Sequence, residues 1–160
     1  MPATVKLIEI VEALESANDF SSSYVDTETG AVCLVTEGDK FVLEHDTPAE
    51  DVPQWQRESI EIARKIREDG DGMGTRYLAL PSKFQIHEWA IMDGFALSID
   101  DRRISDDLYD GIRGAGAFRM FKRLLNEYGL WDAWNRYREA EIRQMAVDWC
   151  EKHGIPYRER

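Results

Sequence analysis

The chain has little of what membrane, secreted and metal-binding proteins are built from. No apolar run approaches the roughly 20 residues that a helix needs to cross a bilayer. Cysteine is nearly absent: Cys33 and Cys150 stand in unrelated segments without CxxC spacing. A disulfide scaffold is therefore not expected; free thiols in a cytoplasmic protein are. The opening Met1-Pro2-Ala3-Thr4-Val5-Lys6 runs into Glu9, Glu12 and Glu15. Such a start lacks the apolar stretch of a signal peptide. Histidine is also scarce, with His45, His87 and His153 in three separate segments.

The sequence signatures of catalysis are missing as well. No GxSxG elbow supports a serine hydrolase. His87-Glu88 begins like a zinc-protease helix, but Ile91 stands where the second histidine belongs. The run Asp69-Gly70-Asp71-Gly72-Met73-Gly74 superficially resembles a calcium loop. Counting from Asp69, the fifth position is Met73 and the twelfth is Leu80, so the bidentate acid is lacking. No Lys-Ser/Thr pair follows those glycines to make a phosphate loop, which leaves a flexible connection. Asp100-Asp101 and Asp106-Asp107 flank Arg102-Arg103 and read as helix starts and surface ion pairs. No cofactor is implied.

What is present is a core and an uneven charge. Hydrophobic residues make up 43% of 160 positions, enough for one folded domain despite a net charge of −11. Through Thr75 there are 6 basic and 17 acidic side chains, and from Arg76 onward 14 of each. All the excess negative charge therefore lies in the first half. It serves as a solubilising surface, or as a face that docks a basic protein partner or imitates nucleic acid.

Periodicity outlines an α+β fold. Val5 to Ala17 reads as a helix, with Leu7, Ile8, Val11 and Leu14 on one stripe. Ser22 to Thr27, Ala31 to Thr36 and Lys40 to Glu44 read as a small antiparallel β meander. A helix follows from about Pro53 to Glu68, with Trp55, Ile62 and Ile66 on its buried face. A fourth strand is expected over Arg76 to Leu80. Ser82 and Gln85 have capping-box spacing and open a helix carrying Phe84, Trp89, Met92 and Phe95. Further helices are predicted near Ser105–Ile112, Ala115–Tyr128 and Asp132–His153, the last ended by Gly154. The expected architecture is one domain, 1–160, divisible into an acidic sub-lobe 1–75 and a mainly helical sub-lobe 76–160.

One segment departs from the acidic background. Gly111 to Arg123 holds four basic residues and no acid. Glycines ahead of a helix let backbone N–H groups approach an anion, and the positive helix end favours phosphate. Arg113, Gly114, Gly116, Phe118, Arg119, Lys122 and Arg123 are the candidate ligand-binding residues, with Phe118 as a stacking face. Asp106, Asp107 and Asp110 are the only nearby acids or bases. The competing reading is a tight helix–helix corner whose aromatics fill the core and whose basic groups pair with those aspartates.

Phe84 to Phe95, Ile112 to Lys122 with its Gly116-Ala117-Phe118-Arg119, Trp134 to Gly154 and Thr29-Gly30 together resemble a bacterial uncharacterised protein family, number 0158. The similarity covers nearly the whole chain in matching order. The resemblance implies no chemistry, because the family has no assigned function. Its pattern has an arginine between the two corner glycines where this chain has Ala115, which leaves Arg113 and Arg119 to carry anion binding.

The functional expectation is a non-catalytic binding or regulatory module recognising a small phosphate-bearing ligand at Gly114–Arg123. The alternatives are an enzyme assembled from distant segments and an acidic protein–protein interaction module. Net charge disfavours extended nucleic acid.

Overall fold

Apolar residues at helical spacing place α1 at Leu7–Glu15, where Leu7, Ile10, Val11 and Leu14 are buried. Ile10, rather than the expected Ile8, completes the stripe; Ile8 is exposed. The computed structural model describes residues 1–160, the side chain of Ala49 excepted. The chain divides into two units, residues 1–85 with 145–160, and residues 86–144.

In the first unit, β1 (Val5–Lys6) leads into α1 and pairs in parallel with β5 (Tyr157–Arg158). β2 (Ser21–Asp26) and β3 (Val32–Thr36) form an antiparallel hairpin, with Tyr24 opposite Cys33. The expected third meander strand at Lys40–Glu44 is instead part of a helix, α2 (Glu37–Glu44). Thr36 decides the matter. Its Oγ1 accepts from Asp39 N–H while the Asp39 carboxylate accepts from Thr36 N–H, both at 3.1 Å. This reciprocal cap nucleates a helix over residues whose β propensity pointed the other way.

The third strand of the sheet is β4 (Tyr77–Ala79), which pairs antiparallel on the other side of β2 and gives the order β3-β2-β4. Between α2 and β4 runs α3 (Gln54–Glu68), preceded by a 3-10 turn at Ala49–Asp51. Ile60, Ala63 and Ile66 form its buried stripe. Trp55, expected on that face, is 80% exposed because it lies in the first turn, before the buried stripe begins. Ala63 and Ile66 join Tyr24, Val35 and Tyr77 in a core between helix and sheet. The Asp69–Gly74 loop is pinned rather than free: the Asp69 carboxylate accepts from the N–H groups of Arg76 and Tyr77 at 3.0 and 2.8 Å.

The Ser82–Gln85 capping box forms as its spacing predicts and opens α4 (Lys83–Ile86). The predicted single helix then breaks. His87 takes a left-handed conformation at φ 56°, and α5 (Glu88–Ser98) starts anew. In the second unit α5 is followed by α6 (Arg102–Gly111), α7 (Ala117–Tyr128) and the first part of α8 (Trp131–His153). Phe95, Phe121, Trp134 and Tyr137 meet edge to face there, with centroids 4.7 to 6.1 Å apart. Gly94 makes room at this junction: a Cβ would sit 2.5 Å from the Tyr137 hydroxyl and would have to displace that ring. The last turns of α8 belong to the first unit, where Trp149 Nε1 donates to the Ala79 carbonyl at 3.1 Å. Among the described residues, no helix is long and apolar enough to cross a membrane.

Candidate ligand-binding site

The corner between α6 and α7 separates packing from exposure residue by residue. Gly111 is the packing glycine. A Cβ there would lie 2.8 Å from Met120 Cγ and 2.9 Å from Leu124 Cδ1, so any larger residue must displace these two α7 side chains. Next, Ile112 is buried and its carbonyl accepts from Trp89 Nε1 at 2.9 Å. Beyond it the chain turns outward. Gly114, Ala115 and Gly116 are exposed, and a Cβ on either glycine would meet nothing within 4 Å.

Gly116 is the N-cap of α7 at φ 73°, a left-handed conformation that glycine adopts without steric cost. No side chain caps this helix. Met120 N–H reaches the Gly116 carbonyl at 2.9 Å. The groups before it, at Ala117, Phe118 and Arg119, are the donors that a helix start leaves without an intrahelical partner. Their partial positive charge is what an anion would meet.

Helical geometry sorts the α7 side chains. Phe121, Leu124 and Leu125 are buried. Phe118, Arg119, Lys122 and Arg123 are exposed, Phe118 at 52%. Of the two expected fates of Phe118, core packing is the one not realised. Phe118 and Lys122 stand four apart, Arg119 and Lys122 three apart, so the three are surface neighbours. Arg119 and Lys122 lie within the first two turns of α7, beside its uncapped start. Neither Arg119 nor Lys122 has a hydrogen-bonding or ionic partner among the described residues. Arg123 leans the other way, to Glu127 at 3.0 Å.

Arg113 has a different position. Its guanidinium pairs with Asp93 at 2.8 Å, donates to the Tyr109 carbonyl at 2.9 Å and lies 3.2 Å above the Tyr109 ring centroid. The Trp89 ring adds a second cation–π contact at 5.3 Å. Partial burial works against its charge, but the Asp93 hydrogen bond and charge win and hold its pKa above the ordinary value. Arg113 thus locks the corner onto α5. Its partners Trp89 and Asp93 lie 20 or more positions away, and no local signal in the sequence could have named them.

The neighbouring aspartates do not neutralise the corner's cations. Asp107 accepts a hydrogen bond from the Tyr128 hydroxyl, which pushes the Tyr128 pKa up. Asp106 and Asp110 are exposed. Two of the three histidines make local ring contacts: His45 stacks on Phe41 at 4.0 Å, and His153 contacts Trp149 at 4.7 Å. Burial raises both cysteine thiols, Cys150 to about 11, as expected of small packed hydrophobes. Among the described residues, no three His, Cys, Asp or Glu side chains gather as a metal-holding group.

The sequence profile of the Uncharacterised protein family (UPF0158) matches residues 1–159. The chain belongs to this family. The resemblance carried by Gly116-Ala117-Phe118-Arg119 and its companion segments is therefore a true membership, and the exposed α7 start is a feature of a UPF0158 protein. No curated protein and no solved structure matches the chain.

Proposed function

We propose that this UPF0158 protein is a non-catalytic binding module that recognises a small phosphate-bearing ligand at the start of α7. One observation carries the reading: an uncapped helix start, behind open glycines, has two unpartnered cations and an exposed aromatic ring beside it. The N–H groups of Ala117 and Phe118 would hold phosphate oxygens, Arg119 and Lys122 would supply charge, and Phe118 would stack a base. Gly114 and Gly116 would permit close approach. Arg113 would position the corner, and Arg123 would add to the field at longer range.

Charge limits the ligand. Residues 86–144 carry 9 basic and 11 acidic side chains, a nearly neutral background, whereas the chain as a whole is −11. A mononucleotide is tolerated; an extended polyanion is repelled.

Binding of a nucleotide and short-RNA panel tests the reading. Wild type should bind a nucleotide saturably, and Arg119→Glu/Lys122→Glu should bind it at least tenfold more weakly. Gly114→Ala gives an independent check. Its Cβ meets nothing, so stability should change by less than about 0.5 kcal/mol, while close approach of phosphate is impaired and affinity falls. Equal binding by all three proteins, or none by any, leaves the corner as packing alone.

A further inference from the structure

The arginines of the acidic half are concentrated in one place. Before Arg76 the chain has three, Arg57, Arg64 and Arg67, among 17 acids. All three line one cavity of about 690 Å³ between α2, the loop after it and α3. They occupy positions i, i+7 and i+10 of one helix and extend over about 15 Å of its length. The cavity floor is aliphatic: Val52 and Ile60 are buried, and Val42 and Leu43 are half-buried.

The arginines are not equally committed. Arg64 pairs with Glu61 at 2.8 Å. Arg57 Nε donates to the Val52 carbonyl at 3.3 Å, which orients the guanidinium and leaves its terminal N–H groups available. Arg67 has no side-chain partner among the described residues. Asp46, Glu61 and Glu68 complete the rim. Such a mixed rim repels a polyanion but accepts one acidic group, and the floor accepts an apolar body behind it.

We propose that this cavity is a second binding site, for a small amphipathic anion: one carboxylate or phosphomonoester on an aliphatic body. Its volume lies in the range of ordinary ligand pockets, and fork-shaped guanidinium groups suit both acids. The site is independent of the α7 start.

Amide-resolved NMR titration of the intact chain tests it, with octanoate and hexyl phosphate as probes and inorganic phosphate and 1-hexanol as their halves. Both amphipathic anions should shift the Val42, Leu43, Ile60 and Arg67 amides saturably, and each half should bind at least tenfold more weakly. Arg64→Gln/Arg67→Gln, which changes only exposed groups, should weaken octanoate at least tenfold. Arg119→Glu/Lys122→Glu should bind octanoate as wild type does, so failure at one site is distinguishable from failure at the other. The proposal is overturned by absence of saturable shifts around the cavity, by equal binding of 1-hexanol, or by unchanged affinity in the Arg64/Arg67 variant.

Discussion

Asp26→Ala is expected to destabilise the protein by about 3 kcal/mol, the cost of deleting a buried carboxylate that accepts three hydrogen bonds, two of them from a partly exposed guanidinium. Asp26 is only 5% exposed. Its two oxygens face Arg76 Nε and Nη2, each at 3.0 Å, and Oδ1 also accepts the Glu28 N–H at 3.0 Å. Those bonds tie the turn after β2 to the start of β4, where Thr27 N–H and Oγ1 also meet the Arg76 carbonyl. Removing the carboxylate leaves the Glu28 donor unpaired. In a chain of this size the expected loss lowers the melting temperature by about 6–12 °C. A melt within about 2 °C of wild type would show that the pair contributes little.

The same aspartate sets a pH dependence whose sign is fixed. Burial alone would raise its pKa, but hydrogen bonds from Arg76 and the Glu28 backbone overcome this and hold it below the ordinary 3.8. Asp39 behaves alike: burial opposes its charge, and Thr36, Gln56 and Ser59 more than offset it. A carboxylate depressed by folding contributes stability above its unfolded pKa and loses it as pH falls through the folded value. The contribution of these two groups should therefore be constant above about pH 5 and decline below about pH 4. Asp26→Ala should show a shallower acid decline than wild type.

Gly72→Ala should cost about 2–4 kcal/mol, from left-handed strain plus overpacking. Gly72 sits at φ 91° against β4. A Cβ would lie 2.8 Å from the Ala79 Cβ and 2.9 Å from Tyr24 Cε1. The Gly72 carbonyl also accepts from Ala79 N–H at 3.3 Å, so the loop cannot swing away without losing a sheet contact. Urea denaturation is the measurement. A loss below about 0.5 kcal/mol, the value expected of Gly114→Ala, would contradict the packing described for this loop.

Much of the helical architecture was legible because it is local. Ser82 and Gln85 announce their helix, Gly154 ends α8 in the left-handed conformation at φ 64°, and α3 begins one residue after Pro53. Errors arose where a local signal competed with composition. Phe41, Val42 and Leu43 look like strand residues, but the Thr36–Asp39 box makes them a helix. His87 carries no sequence mark of a break: neither glycine nor proline stands near it, yet it takes the left-handed conformation. The pairing of β4 with β2, and the return of residues 145–160 to residues 1–85, rest on contacts far apart in sequence. At the candidate site the glycines and basic residues were visible from their order alone. The fate of each was not: Gly111 packs, Gly116 caps, Arg113 is locked by Asp93 and Tyr109, and Arg119 and Lys122 stay free.

The most direct test of the α7 reading is amide-resolved NMR during titration with a mononucleotide. Saturable shifts are expected at Gly116, Ala117 and Phe118, with broadening of the Phe118 ring signals as it stacks on the base. A saturating nucleotide that moves amides elsewhere and leaves those three unchanged would rule out binding at the α7 start.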